Sequence, residues 1–169
     1  MNIVEIKKLK KMYGEIVGIE DVSFNVKEGS IFGFIGPNGA GKSTTIRILM
    51  GLLNQDEGTF NLNLGVDSNK REEINKYIGY VPSEVYLYKN FKVSEFLSLN
   101  AKLKKYNEKE NIFLAKYFEL DINKKISELS HGNKKKVSII CALAHNPKLI
   151  ILDEPTSGLD PIIQKKLKT

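Results

Sequence analysis

With 169 residues, 41% of them hydrophobic and 27% charged, the chain has the make-up of a soluble globular domain large enough to bury its own core. No apolar run approaches the roughly 20 residues that span a bilayer, and the opening Met1-Asn2-Ile3-Val4-Glu5-Ile6-Lys7-Lys8 lacks the continuous apolar stretch of a secretion signal. A lone cysteine, Cys141, excludes an internal disulfide, two histidines are too few for a His/Cys zinc cluster, and the +6 charge, with lysine runs at 7–11, 134–136 and 165–168, reads as solvated surface.

Residues 2–9 alternate well enough for a first strand, and Val22, Phe24 and Val26 share one side of a second that ends at Lys27-Glu28-Gly29. Ser30-Ile31-Phe32-Gly33-Phe34-Ile35 is short and apolar, the pattern of a strand buried on both faces. Residues 45–50 read as a helix closed by Gly51. A turn at Gln55-Asp56-Glu57-Gly58 leads to a strand at 59–64, followed by a short helix at 71–76 and a strand at 77–81 that Pro82 stops. Beyond Pro82 the period changes. Phe96, Leu97, Leu99 and Leu103 stripe a helix over 93–104, and Asn107 with Glu110 caps a second that runs through Phe118. Residues 133–144 predict a third helix, stopped by Asn146-Pro147, with Cys141 on its core face beside Val137 and Ala144. Leu149-Ile150-Ile151-Leu152 returns as a buried strand, and Asp160 with Pro161 opens a last helix.

Two motifs carry chemistry. Gly36-Pro37-Asn38-Gly39-Ala40-Gly41-Lys42-Ser43-Thr44 matches G-x-x-x-x-G-K-[ST]. Its glycines allow backbone dihedrals that let successive N–H groups converge on phosphate oxygens, Lys42 adds a full charge, and Ser43 offers a hydroxyl to Mg²⁺. A strand before the loop and a helix after it put the positive end of a helix dipole at the same place. The second motif is the apolar run 149–152 ending in Asp153-Glu154, two carboxylates at the mouth of a strand. Asp153 suits a Mg²⁺ shell, and Glu154 suits polarising the water that attacks the outer phosphorus.

Leu129-Ser130-His131-Gly132-Asn133 lies between these motifs, directly before a helix, where Ser-x-Gly alone would be an ordinary cap. The order of glycine loop, helical stretch, Leu-Ser-x-Gly, Asp-Glu strand and Ser157-Gly158-Leu159-Asp160 resembles the ATP-binding cassette (ABC) family over essentially the whole chain. The resemblance implies an α/β fold: a P-loop NTPase core, a mixed sheet flanked by helices, at about 1–82 and 146–169, with an α-helical subdomain inserted at about 83–145. It further implies that Tyr13 stacks on adenine, that Gly36, Pro37, Asn38, Gly39, Ala40, Gly41, Lys42, Ser43 and Thr44 wrap the phosphates, and that Ser43, Asp153 and Ser83 serve Mg²⁺. Ser130, His131, Gly132 and Asn133 would meet the outer phosphate of ATP held by an opposite subunit, and Asp160 would lie across that dimer. The expected protein binds ATP and Mg²⁺, with Glu154 as catalytic base. It works as a homodimer or heterodimer on the inner face of the cell membrane, powering membrane-spanning partners encoded separately, with no nucleic acid involved. The stretch Tyr80-Val81-Pro82-Ser83-Glu84-Val85 resembles the bacterial export branch. Two other readings remain open: a nucleotide-binding module deficient in hydrolysis, and a soluble cassette ATPase acting on ribosomes or DNA.

The sequence departs from the family pattern in three places. Ser83 stands where the family has a glutamine, with Glu84 as a substitute. His131 and Asn133 stand where glycine and glutamine are common. The chain stops at Thr169, before the strand and histidine that family members carry further on. The resulting expectation is a fragment with weakened stability, little turnover and retained nucleotide binding.

Overall fold

A long β-hairpin opens the chain. Strand β1, Asn2–Tyr13, pairs antiparallel with β2, Ile16–Lys27, through a tight turn in which Gly14 takes φ 61°. The structure, a computed structural model, describes residues 1–67 and 70–168 without the side chain of Lys168, so the end of the 165–168 lysine run and Thr169 lie outside the described residues. By contacts the chain divides into two compact units, Met1–Asn75 and Lys76–Thr169.

In the first unit β3, Glu57–Leu62, lies along the other side of β1, giving the order β2-β1-β3. Val4 faces Val26 on one neighbour and Leu62 on the other, and Ile6 likewise faces Phe24 and Phe60. Ile6 and Leu9 are buried, as the alternation in β1 requires. Helix α1, Lys42–Leu49, buries Thr45, Ile46, Ile48 and Leu49, and Gly51 at φ 71° ends it. Helix α2, Arg71–Asn75, buries Ile74, and the Arg71 guanidinium lies 4.8 Å above the Phe60 ring.

Residues 30–35 differ from expectation. They form no strand among the described residues, and Ile31 and Ile35 are 100% and 92% exposed. The aromatic members rest on β2, with Phe24 stacking on Phe32 at 4.9 Å and tilting against Phe34 at 5.1 Å, and Ser30 is tied to the Lys27 carbonyl. An apolar run states what a strand wants to bury, but a ladder also needs neighbouring backbone, and no described strand supplies it here.

In the second unit β4, Ile78–Val81, pairs in parallel with β5, Leu149–Leu152, in the register Ile78 to Leu149 through Val81 to Leu152. Around them lie α3 (Val93–Lys104), α4 (Lys109–Tyr117), a 3₁₀ turn (Ile126–Glu128), α5 (His131–Leu143) and α6 (Pro161–Lys168). Helix α5 supplies the centre of the core: Val137, Ile139 and Ile140 are wholly buried in one cluster with Val81, Val93, Leu97, Phe118 and Ile126.

Four more expectations change in this unit. The buried stripe of α3 is Val93, Leu97 and Ala101, and Leu103 is 71% exposed. Two residues along a helix are about 200° apart, so Leu99 and Leu103 face away from the row that Leu97 occupies. Strand β5 is not sealed on both sides: Ile150 is 45% exposed. The 134–136 lysine run is not solvated, since Lys135 is fully buried and Lys136 nearly so. Helix α5 also begins two residues earlier than expected.

The end of α3 is tied to the start of β4. Lys104 Nζ donates to the Ile78 carbonyl at 3.3 Å and lies 3.0 Å from His145 Nε2. His145 Nδ1 is buried without a hydrogen-bond partner. Burial, then the Lys104 charge, hold the His145 imidazole below its ordinary pKa, and burial pushes the nearby Cys141 thiol up to about 12.

Candidate nucleotide site

In the first unit, the glycine loop opens directly into α1. Gly39 and Gly41 take φ 83° and 77°. At Gly41 a side chain is doubly forbidden, because a Cβ would come within 1.9 Å of Ile19 Cγ2 and 2.5 Å of the Gly18 carbonyl. The loop is thus pressed against β2, and its tip closes through Ala40 N–H to the Pro37 carbonyl at 3.2 Å. Helix α1 begins at Lys42 with no side chain capping it, so its first amides and its dipole are directed at the loop. The Lys42 ammonium donates to the Gly36 and Pro37 carbonyls, both at 2.7 Å, and so lays its charge across its own loop. Pro37, Asn38, Gly39 and Ala40 are exposed, Ser43 and Thr44 half-buried.

Tyr13 is not in the core. It is 44% exposed, with its hydroxyl 3.5 Å from Thr44 Oγ1, at the outer limit of a hydrogen bond. Its ring occupies the space over Gly18, where a Cβ would stand 2.6 Å from Cε2. Gly18 and Ile19, backing the aromatic and the loop, were missed from the sequence. A glycine inside a strand pattern was the available signal, since it marks a close approach.

The second unit holds the acids. Asp153 N–H donates to the Val81 carbonyl at 2.9 Å, carrying the β4–β5 ladder one residue past Leu152. Asp153 is 6% exposed, whereas Glu154 faces solvent with φ 49°. That left-handed turn costs a glutamate about 1 kcal/mol, and of the two acids one is buried and the other open to solvent. Ser83 follows β4 and is half-buried; Glu84 beyond it is exposed and accepts the Tyr86 hydroxyl at 2.5 Å, which raises the phenol's pKa. Lys135, also missed, sends its ammonium to the Pro82, Ser83 and Asp153 carbonyls at 2.8, 3.1 and 3.5 Å. Burial lowers its pKa, and the Asp153 and Glu154 charges oppose that. A lysine flanked by lysines gives no sequence signal of its own.

Ser130 is the N-cap of α5, its Oγ accepting the Asn133 N–H at 3.3 Å. The first helical residue, His131, is exposed, and its imidazole lies beside Gly158, where a Cβ would be 3.3 Å from Nδ1. A Cβ on Gly132 would fall 2.4 Å from the Gly158 carbonyl, so the Ser157-Gly158 loop rests on the tip of α5. Asp160 caps α6 through the Ile163 N–H at 2.9 Å, which holds its carboxyl below the usual range. Among the described residues no three His, Cys, Asp or Glu side chains converge as a metal-binding group. Ser43 in the first unit and Asp153 in the second each carry a hard oxygen of the kind Mg²⁺ takes, and that ion needs few protein ligands because phosphate and water complete its shell.

Glycine loop, capped Ser-x-Gly helix and acid-ended strand together define an ABC cassette with the fold of the P-loop NTPases. The chain belongs to the ABC transporter family, whose pattern it matches over residues 19–157. It is 37% identical to an ABC transporter ATP-binding protein of Methanocaldococcus jannaschii, covering 98% of this chain and 61% of that one. Against the bacitracin transport ATP-binding protein of Bacillus licheniformis it is 37% identical over 98% of its own length and 55% of the relative's. The chain thus spans little more than half the length of these curated relatives. Among solved structures, an ATP-binding subunit of an ABC transporter superposes with a TM-score of 0.87 at 34% identity, covering 98% of this chain and 71% of that one. A dimeric bacterial ABC transporter cassette gives 0.85 at 30% identity, covering 97% and 79%.

Proposed function

We propose that the chain binds Mg-ATP and, as a head-to-tail dimer, hydrolyses it to ADP and phosphate to drive transport through separately encoded membrane-spanning partners. The observation that carries this reading is the Gly41 junction, a backbone shape that excludes any Cβ and delivers the bare end of α1 to the loop. One solved relative, 30% identical with a TM-score of 0.84, is a dimeric post-hydrolysis cassette bound to ADP and phosphate. The dimer is taken from such relatives. The protein would work at the inner face of the membrane, with its core at about 1–82 and 146–169 and its helical subdomain at about 83–145.

Each residue has a task in this scheme. Tyr13 offers an exposed ring to adenine, where stacking is worth about 1–3 kcal/mol. Residues 36–44 cup the phosphates, and Lys42 exchanges its two carbonyl partners for phosphate oxygens. Ser43 and Asp153 would each offer an oxygen to Mg²⁺, with Ser83 nearest the role of the family's glutamine, and a bound ion would neutralise charge on the outer phosphates. Glu154 takes a proton from water as the water oxygen bonds to the γ-phosphorus, while the bond to the bridging oxygen breaks and its electron pair leaves with ADP. Ser130, His131, Gly132 and Asn133 present the tip of α5 to the opposite subunit's nucleotide, and Asp160 lies across the dimer.

Glu154→Gln separates binding from chemistry. With Mg-ATP present, light scattering should show the variant at twice the monomer mass and phosphate release should cease. A variant that stays monomeric, or that turns over like the parent, would remove Glu154 from the role of base.

A further inference from the structure

Lys135 is the most deeply buried charge outside the proposed chemistry. It is fully buried on α5, yet each of its three ammonium protons has a carbonyl to meet. All three carbonyls stand just past the ends of strands: Pro82 and Ser83 after β4, Asp153 after β5. The same helix begins only four residues earlier, at His131, with Ser130 as its cap. One turn of helix spans about 5 Å and is stiff, so the ammonium joins the Ser130–Gly132 tip to the two strand ends through a single rigid element.

We propose that Lys135 is a positioning residue for hydrolysis, a clamp that holds the Ser83 turn and the Asp153-Glu154 strand end in fixed relation to the tip of α5. The proposal rests on the ATPase reading above. Lysine suits the place because its ammonium is a compact point charge with three donors in tetrahedral array. Arginine's planar fork would not satisfy three converging carbonyls, and a glutamine amide has only two donors to offer them. The clamp consists of the ammonium and three main-chain carbonyls, none of which has a nucleotide-binding task in the ATPase reading. Its effect should fall on turnover and on the local backbone, not on affinity, which belongs to residues 36–44 in the other unit.

The test compares the full chain with Lys135→Met, Lys135→Arg and the control Lys102→Met on the exposed side of α3. Three quantities are read: Mg-ATP affinity by calorimetry, the split of kcat from KM, and residue-resolved amide exchange. Lys135→Met should keep affinity and KM, lose kcat by about tenfold or more, and speed exchange at residues 83–84 and 154 about tenfold, since a lost buried ionic hydrogen bond is worth that much. Lys135→Arg should share the defect, and Lys102→Met should match the parent in all three. If Lys135→Met does not fold, Lys135→Arg decides by the same exchange signature. Parent-like exchange at residues 83–84 and 154 in a folded variant overturns the clamp, as does a parent-like kcat where the parent turns over. Failure of the parent itself to bind Mg-ATP would instead bring down the ATPase reading.

Discussion

Gly41 and Lys42 are neighbours with different failure modes. A Cβ at Gly41 meets the Ile19 side chain and the Gly18 carbonyl, neither of which can retreat without moving β2. Gly41→Ala should therefore both destabilise the first unit, by about 1–3 kcal/mol of overpacking, and abolish nucleotide binding. A denaturant melt together with a binding assay checks this; parent-like values in both would mean that the loop is not pressed on the hairpin. Lys42→Ala removes only a charge and two hydrogen bonds. It should leave the fold standing while weakening Mg-ATP binding about a hundredfold, the scale of two charge-assisted hydrogen bonds. Parent-like affinity in Lys42→Ala would contradict the role given to this lysine. Both residues were legible in the sequence because their types answer to backbone shape and charge, which a motif records. Lys135 was not legible: its neighbours Lys134 and Lys136 made it look like surface, and only the fold turns it toward three carbonyls.

Among the elements, α5 does the most, with its core face packed on β4, its cap at Ser130 and its buried lysine between the strand ends. Its end leads into His145, whose imidazole shares the Ile78 carbonyl with Lys104. In the folded chain that histidine's pKa lies below the ordinary 6.5. As pH falls below about 6.5 the unfolded chain takes up a proton that the folded chain resists, so stability declines until the folded-state pKa is passed. Thermal melts between pH 7.5 and 5 should show this slope in the parent and a flatter one in His145→Gln. Identical slopes would mean that the imidazole is already solvated when folded. Helix bounds in the second unit were readable to within two residues because caps and prolines are local signals, as at Asp160-Pro161, whereas α1 begins three residues before the expected 45. The stripe of α3 was misread because Leu97 and Leu99 were counted on one face, although their spacing puts them on opposite ones. Residues 30–35 were misread for a different reason: burial of a strand depends on partners, and apolar composition does not contain them.

At the scale of the molecule, the family and its fold follow from three motifs in order, and the described structure adds what the motifs omit. The hairpin residues Gly18 and Ile19 back the phosphate loop, and the Gly158 carbonyl rests on the tip of α5. A ligand that binds only the folded state stabilises it by mass action, by about 2.7 kcal/mol at a hundred times its dissociation constant. Saturating Mg-ATP should raise the melting temperature accordingly, and the same nucleotide concentration should give Lys42→Ala only a small fraction of that shift, about 0.4 kcal/mol where its affinity is a hundredfold weaker. A shift of equal size in both proteins would place the nucleotide somewhere other than the glycine loop.

The claim on which the rest depends is that residues 36–44 hold the triphosphate of Mg-ATP. A calorimetric titration of Mg-ATP into the folded chain tests it most directly. The expected result is a saturable isotherm with one nucleotide per chain, weakened about a hundredfold in Lys42→Ala; a flat trace from a parent sample whose circular dichroism shows it folded would contradict the claim.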